Sequence, residues 1–309
     1  MISQSISPQV IHLVAGGCGG TVGAVITCPL EVVKTRLQSS KASIKFLPTP
    51  NINADGAVTH VSRRSLGVFQ SLKTICIEEG GSALFRGLGP NLVGIAPSRA
   101  IYFGAYASAK NFLNTKLEPE SSMVHLLSAA SGGFISSTCT NPIWLIKTRL
   151  QLEHRNGKRY TNTWRAIKTV YSHEGLRGFY RGVTASYVGI SETMIHFVIY
   201  ERIKKFLREQ RAYNSDLLSP KDFLTFMGAA ATSKSIAATI AYPHEVARTR
   251  LREEGTKYRT FFQTLSTVLR EEGFRGCYGG LVAHLARQIP NTAIVLVVYE
   301  LVVYSLNKL

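Results

Sequence analysis

Three stretches of the chain share one frame: CPLEVVKTRLQ at 28–38, NPIWLIKTRLQ at 141–151 and YPHEVARTRLR at 242–252. Each has a proline, a basic residue five positions on and another seven on: Pro29/Lys34/Arg36, Pro142/Lys147/Arg149 and Pro243/Arg248/Arg250. With 11 prolines and 36 basic residues in 309 positions, chance supplies that frame well under once, so three instances mark a repeat. A second marker follows each at constant internal spacing: EGGSALFRG from Glu79, EGLRGFYRG from Glu174 and EGFRGCYGG from Glu272. A period of about 100 residues exceeds that of common solenoids, so each unit is a substantial supersecondary structure. The units are expected at 8–117, 118–213 and 214–309. The extra residues of the first fall in the Ser/Thr/Pro/Asn-rich stretch 39–64, read as a loop.

Each unit reads as two long apolar helices around a polar connection. Residues 8–38, 123–151 and 223–252 form the first helices, and 87–112, 182–208 and 280–306 the second. All are long enough to cross a bilayer of ~30 Å, which takes about 20 residues. The connections hold shorter amphipathic stretches, Phe69–Glu78, Trp164–His173 and Phe261–Glu271, suited to lying along an interface. In AGGCGGTVGA, Gly16, Gly20 and Ala24 stand four apart and are expected to form a small-residue face for close helix approach. The fold class is therefore an all-α membrane protein, with six transmembrane helices in three pseudo-symmetric repeats and short amphipathic helices between them.

Composition agrees: 45% hydrophobic and 18% charged residues exclude a disordered chain or a small disulfide scaffold. The net charge of +17 fits a soluble nucleic-acid binder or a membrane protein that handles anions. A soluble basic nucleic-acid-binding protein would cluster its cations on one face with exposed aromatics. Here they recur at helix ends, so that reading is a remote alternative and no nucleic-acid partner is expected. The five cysteines are odd in number, widely spaced and without a CxxC pair, so they read as free thiols with no metal site. The first ten residues, MISQSISPQV, contain no Lys or Arg, unlike a secretory or transit peptide; targeting information is expected to be internal. No GxxxxGK[ST] occurs and no nucleophile–base set or acid/base pair converges, so neither a cofactor nor an enzyme is expected.

An ionisable side chain inside a membrane segment costs ~2.5–3.5 kcal/mol on insertion scales and must face a partner or a water-filled cavity. Glu31 and Lys34 share a helix face, as do Glu245 and Arg248. Pseudo-threefold symmetry lets each base meet the acid of a neighbouring unit and close a ring at one end of the bundle. The second helices carry a related set: YASAK from Tyr106, YERIK from Tyr200 and YELVV from Tyr299. Lys110 lacks its acid, because residue 107 is Ala, and Glu300 lacks its base, because residue 303 is Val. Pairing between units would keep Lys110–Glu201 and Lys204–Glu300 and lose both halves of the third pair together.

Steps of four back from each of these tyrosines trace three rows: Gly94–Ser98–Tyr102–Tyr106, Val188–Glu192–His196–Tyr200 and Arg287–Asn291–Val295–Tyr299. The rows are expected to line a cavity, with Arg99, one position beyond Ser98, also facing inward. Lys234 stands where Gly20 and Gly133 stand in the other units, three turns and about 16 Å from Glu245. It either reaches an anionic ligand or neutralises Glu192. Glu192 in turn either accepts from an amine or hydroxyl of a ligand or holds Lys234. His196 either stacks on a base or packs between helices. Arg99, Lys234 and Arg287 together would offer three positive charges to a polyphosphate.

These motifs resemble the signature of the mitochondrial carrier family: Pro-x-acid-x-x-base-x-base ending each first helix, and Glu-Gly with an aromatic-base-Gly four residues later. The resemblance covers essentially the whole chain. It implies six spans around a central cavity, with salt-bridge gates on the matrix and cytosolic sides that open alternately. It implies a matrix gate of Glu31, Lys34, Lys147, Glu245 and Arg248, with Gln38 and Gln151 as braces and Arg252 where a third could stand. The cytosolic gate would comprise Tyr106, Lys110, Tyr200, Glu201, Lys204, Tyr299 and Glu300. Substrate contacts carry over to Gly94, to Val188 with Gly189, and to Arg287 with Gln288, near Asn291. The sequence departs from the signature at Trp144, where an acid is expected. That predicts two ring bonds, Glu31–Lys147 and Glu245–Lys34, and an unpaired Arg248. Tryptophan here is similar to a subgroup that moves pyrimidine nucleotides, NAD, folate or FAD, and the longer runs resemble its pyrimidine-nucleotide members most. A monomer is expected, with anionic lipid such as cardiolipin drawn to Arg86–Gly87 and Arg181–Gly182, and less to Gly279.

Overall fold

The structure, a computed structural model, describes residues 8–40, 67–153, 162–211 and 220–306. Nine α-helices occur among them. The six long ones are α1 (Pro8–Gln38), α3 (Leu88–Asn114), α4 (Ser122–Leu152), α6 (Val183–Arg211), α7 (Pro220–Arg252) and α9 (Leu281–Leu306). The three short ones, α2 (Val68–Glu79), α5 (Thr163–Gly178) and α8 (Phe261–Cys277), lie between the long helices of each unit. Beyond Ser40 the loop read at 39–64 falls outside the described residues.

Each motif proline sits inside its helix, at Pro29, Pro142 and Pro243, about two turns before the end. Proline removes one backbone hydrogen bond there and turns the last turns off the helix axis. The turned ends carry the acid and bases of the repeat toward one another. Two glycines per unit then reverse the chain. Gly80, Gly175 and Gly273, the glycines of the Glu-Gly motifs, have φ of 86°, 64° and 68°, and Gly87, Gly182 and Gly280 have φ of 79°, 80° and 80°. A side chain is strained at positive φ, so the second marker of the repeat is a pair of backbone corners.

The tightest helix pairs join units rather than lying within them: α3 against α4, α6 against α7, and α9 back against α1, which closes the ring. Close approach of α1 and α9 rests on Gly19 and Gly23, not on the expected Gly16–Gly20–Ala24 face. A Cβ on Gly19 would meet the Val295 carbonyl oxygen at 2.8 Å and one on Gly23 the Val295 side chain at 2.9 Å, whereas Gly16 has nothing near. The glycine-rich run contains two interleaved four-residue registers, and only packing against α9 chooses between them.

Three small apolar cores lie at the proline end, one per unit. Val33 packs with Ile75, Ala83 and Ala283; Leu145, Ile146 and Leu150 with Ala166 and Val170; Leu251 with Ala185, Tyr258, Val268 and Cys277. Each buries the inner face of a short helix against the turned end of a long one. Burial pushes the Cys277 thiol above its usual range, as befits an inert core cysteine, and all five cysteines are free. Outside these cores the long helices expose large apolar side chains: Val282, Ile289 and Leu301 of α9 are 71%, 76% and 58% exposed. By length and composition Val14–Gln38 and Leu281–Leu306 are apolar enough to cross a membrane.

Candidate functional site

The turned ends of α1, α4 and α7 assemble a ring. Lys34 Nζ lies 2.6 Å from a Glu245 oxygen, and Lys147 pairs with Glu31. Arg248 is not unpaired: its guanidinium folds back one turn onto Glu245 of its own helix. With Trp144 opposite it rather than a carboxylate, the nearest acid is three residues away along α7. Trp144 keeps a place in the ring by other chemistry. Its Nε1 donates to Thr140 at 2.9 Å, and Lys147 Nζ sits 4.9 Å from the centre of its ring system, over the π-face. Lys147 also donates to Asn91 at 2.8 Å.

Beneath the ring the three brace positions run cyclically. Thr249 donates to Gln38 at 2.8 Å, Thr35 to Gln151 at 2.9 Å, and Arg252, in the third brace place, to Thr148 at 3.4 Å. Gln38 further donates to the Tyr242 hydroxyl at 3.0 Å.

A second cycle was not anticipated from sequence. The later basic residue of each motif pairs with the acid of its own Glu-Gly marker: Arg36 with Glu79 at 2.6 Å, Arg149 with Glu174 at 2.7 Å and Arg250 with Glu272 at 2.8 Å. The Nε of each arginine donates to a backbone carbonyl of another unit, at Gln151, Arg252 and Gln38 respectively, over 3.0, 3.1 and 2.6 Å. The available signal was recurrence: each unit has a base seven residues after its motif proline and an acid opening its Glu-Gly marker, though the separations of the two differ. The glycine that opens each following helix seats against a carbonyl of a ring base: a Cβ on Gly87, Gly182 or Gly280 would meet the Lys147, Arg248 or Lys34 oxygen at 2.9, 3.3 and 3.0 Å. Arg86 and Arg181, expected at a lipid headgroup, bond Glu79 at 2.8 Å and Glu174 at 3.2 Å while staying partly exposed.

A polar cavity of about 340 Å³ runs through the level of the ring and its braces. Five cations line it, Lys34, Lys147, Arg248, Arg252 and Arg287, against two carboxylates, Glu31 and Glu245. Arg287 reaches Glu31 at 3.1 Å, so Glu31 is shared between Arg287 and Lys147. Ser98 of the first row lines the cavity and meets Ser136 across α3 and α4 at 3.3 Å. Lys234 lies 2.6 Å from Glu192, which joins α7 to α6. His196 shares a hydrogen bond of 3.1 Å with Ser233 and is tilted against Tyr200 at 6.2 Å.

The remaining deep-level residues separate. Gly94 is buried, with room for a Cβ denied by Ile143 at 2.9 Å, and a Cβ on Gly189 would meet His244 at 2.7 Å; both are close-packing positions. Val188 lines a shallow apolar pocket with Phe134, Ile135 and Met194 rather than the polar cavity. Gln288 buries its Oε1 without a partner, and Asn291 lies 3.4 Å from Thr27 on α1. Arg99 is exposed and makes no ion pair among the described residues. Glu192, His244 and Glu245 bring ligand-type atoms within 4.8 Å of one another, a cluster the sequence did not reveal. Both carboxylates there already face cations, Lys234 on one side and Lys34 with Arg248 on the other.

At the opposite end the expected pairs are not formed. Lys110 turns to Glu120 at 2.8 Å, in the turn that follows its own helix, and Lys204 to Glu201 at 3.7 Å on α6. Tyr106 hydrogen-bonds His125 at 2.7 Å. Expected as Lys110–Glu201 and Lys204–Glu300, these charges instead find partners nearby in sequence. The bundle is thus shut by ion pairs at the proline end, while at the other end the expected pairs Lys110–Glu201 and Lys204–Glu300 are not among those the described residues make.

The chain matches the family described as mitochondrial carrier protein three times, over residues 7–117, 118–211 and 219–308. It is 58% identical to solute carrier family 25 member 36-A of Danio rerio over 96% of this chain and 97% of that protein. It is 53% identical to solute carrier family 25 member 33 of Homo sapiens over 98% and 97%. Mitochondrial carrier protein rim2 of Schizosaccharomyces pombe is 40% identical over 99% and 92%. With all three repeats matched and relatives this similar over nearly their whole length, the chain belongs to the mitochondrial carrier family, whose members are transporters of the mitochondrial inner membrane.

Proposed function

We propose that this carrier crosses the inner membrane six times, as a monomer, and exchanges pyrimidine nucleotides such as UTP, CTP and TTP, with their mono- and diphosphates, by alternating access. The observation that carries the reading is the cavity: five cations against two carboxylates, sealed at one end by ion pairs. Such a lining suits an anion of several charges. The resemblance of the longer sequence runs to pyrimidine-nucleotide members supplies the base class.

The mechanism follows from shared carboxylates. A phosphate entering from the open end competes with Glu31 for Arg287. Capture of Arg287 leaves Glu31 held by Lys147 alone and loosens one side of the ring. Breaking a buried pair by removing a partner costs about 3–5 kcal/mol, so opening is improbable until cargo contacts offset it. That requirement couples inward to outward movement. As the proline end parts, the far ends approach, and Lys204 and Lys110 exchange local partners for Glu300 and Glu201. Anionic lipid such as cardiolipin at the base-Gly corners belongs to the same reading.

Uptake of labelled UTP into liposomes containing the purified chain tests this, with CTP, ATP, NAD or buffer inside. Uptake is expected to require internal pyrimidine nucleotide and to fall at least about tenfold in Arg287→Ala, the equivalent of ~1.4 kcal/mol. Movement of NAD or folate with no response to UTP overturns the cargo.

A further inference from the structure

Replacing the acid of the second repeat with Trp144 unbalances the floor of the cavity, where five cations meet two carboxylates. Both carboxylates are already shared: Glu31 between Lys147 and Arg287, Glu245 between Lys34 and Arg248. Arg252 is the extreme case. It is 7% exposed, and its guanidinium finds only neutral acceptors, Asn141 at 3.0 Å, Thr148 at 3.4 Å and Ser186 at 3.5 Å. A guanidinium is always charged, and burying it without an anion is costly. Its Nε is also buried without any partner. So is the side-chain amide nitrogen of Gln151, a residue 2% exposed. Arg252 and Gln151 both border the cavity, as do Arg248 and Trp144.

We propose that this part of the floor is an anion site, taking a phosphate-class oxyanion in place of the carboxylate that the second repeat lacks. The oxyanion lies in the cavity that Arg248 and Arg252 both line and neutralises their excess charge. The third side of the ring is then closed by a bound ligand, and closure of the proline end depends on it. Free inorganic phosphate and the terminal phosphate of a cargo nucleotide offer the same chemistry. The site rests on the charge imbalance and not on the identity of the base.

Thermal unfolding of the full chain in detergent tests it, with wild type, Arg252→Gln and Trp144→Glu each titrated with inorganic phosphate, UTP and uridine. Ionic strength is held constant with potassium gluconate. Phosphate at ten times its Kd is expected to raise the wild-type Tm by about 3–5 °C. Arg252→Gln, which supplies the brace residue of the other repeats, loses that response. Trp144→Glu, with a carboxylate of its own, unfolds at a higher temperature without phosphate and gains little from adding it. A shift with UTP but not with phosphate, abolished in Arg252→Gln, assigns the site to the cargo's terminal phosphate; a shift with phosphate assigns it to the free ion. The proposal is overturned if neither probe shifts the wild type, or if Arg252→Gln responds as the wild type does. Should Trp144→Glu fail to fold, Arg252→Gln decides alone. Failure of UTP exchange in liposomes would overturn the cargo and leave the phosphate shift standing.

Discussion

Lys234 and Glu192 meet at 2.6 Å across α7 and α6, and the contact fits two roles. If Lys234 only neutralises Glu192, removing both restores what removing one destroys. If Lys234 also meets a cargo phosphate, the double variant stays impaired. We expect the second outcome: UTP uptake falls in Lys234→Ala and recovers less than twofold in Lys234→Ala/Glu192→Ala. Full recovery in the double variant would reduce Lys234 to a counter-ion. The position of Lys234 was legible from its place where Gly20 and Gly133 stand in the other units. Arg248 was misread for the opposite reason. Symmetry pointed it at the neighbouring unit, but a carboxylate one turn back along its own helix was within reach.

At the level of elements, spacing marked the Glu-Gly and base-Gly motifs without saying what they do. They are corners, two per unit, each with a glycine at positive φ. Gly273 isolates the effect, because nothing lies within 4 Å of where its Cβ would be, while its backbone sits at φ 68° and ψ −168°. That region is essentially restricted to glycine and costs a side chain about 1–3 kcal/mol. Gly273→Ala is therefore expected to lower the Tm, while Gly81→Ala, also in open space but without positive φ, leaves it unchanged. Equal effects at both sites would mean that the corner carries no strain. The bounds of the long helices were readable because proline, glycine and the apolar runs are local signals. Of the two small-residue registers in α1, only the approach of α9 selects Gly19 and Gly23.

For the whole molecule, the open end belongs to one half of a cycle. Lys204 and Glu300 come from different units and are not paired in this conformation, where Lys204 turns to Glu201 instead. Their charge swap therefore separates the states. Lys204→Glu and Glu300→Lys should each slow exchange, and the double variant should recover most of it. The Tm of the form closed at the proline end should change little in any of the three, since none of the ring pairs is touched. A double variant no better than the singles would show that the two charges never meet.

What the sequence by itself determined is local and periodic: three units, their helices, the prolines inside the first helix of each and the charged residues that follow them. Symmetry then narrowed the ring partners, and the structure brings Lys34 to Glu245 and Lys147 to Glu31. Only the tertiary structure decided how carboxylates are shared, that Arg287 joins Glu31 and that Arg252 is buried among neutral acceptors. It alone shows the cycle in which Arg36, Arg149 and Arg250 hold backbone carbonyls of other units. The reason is physical. Backbone acceptors are the same at every residue and leave no mark in a sequence. A cation with several acids or carbonyls in reach chooses among them by where whole helices come to rest.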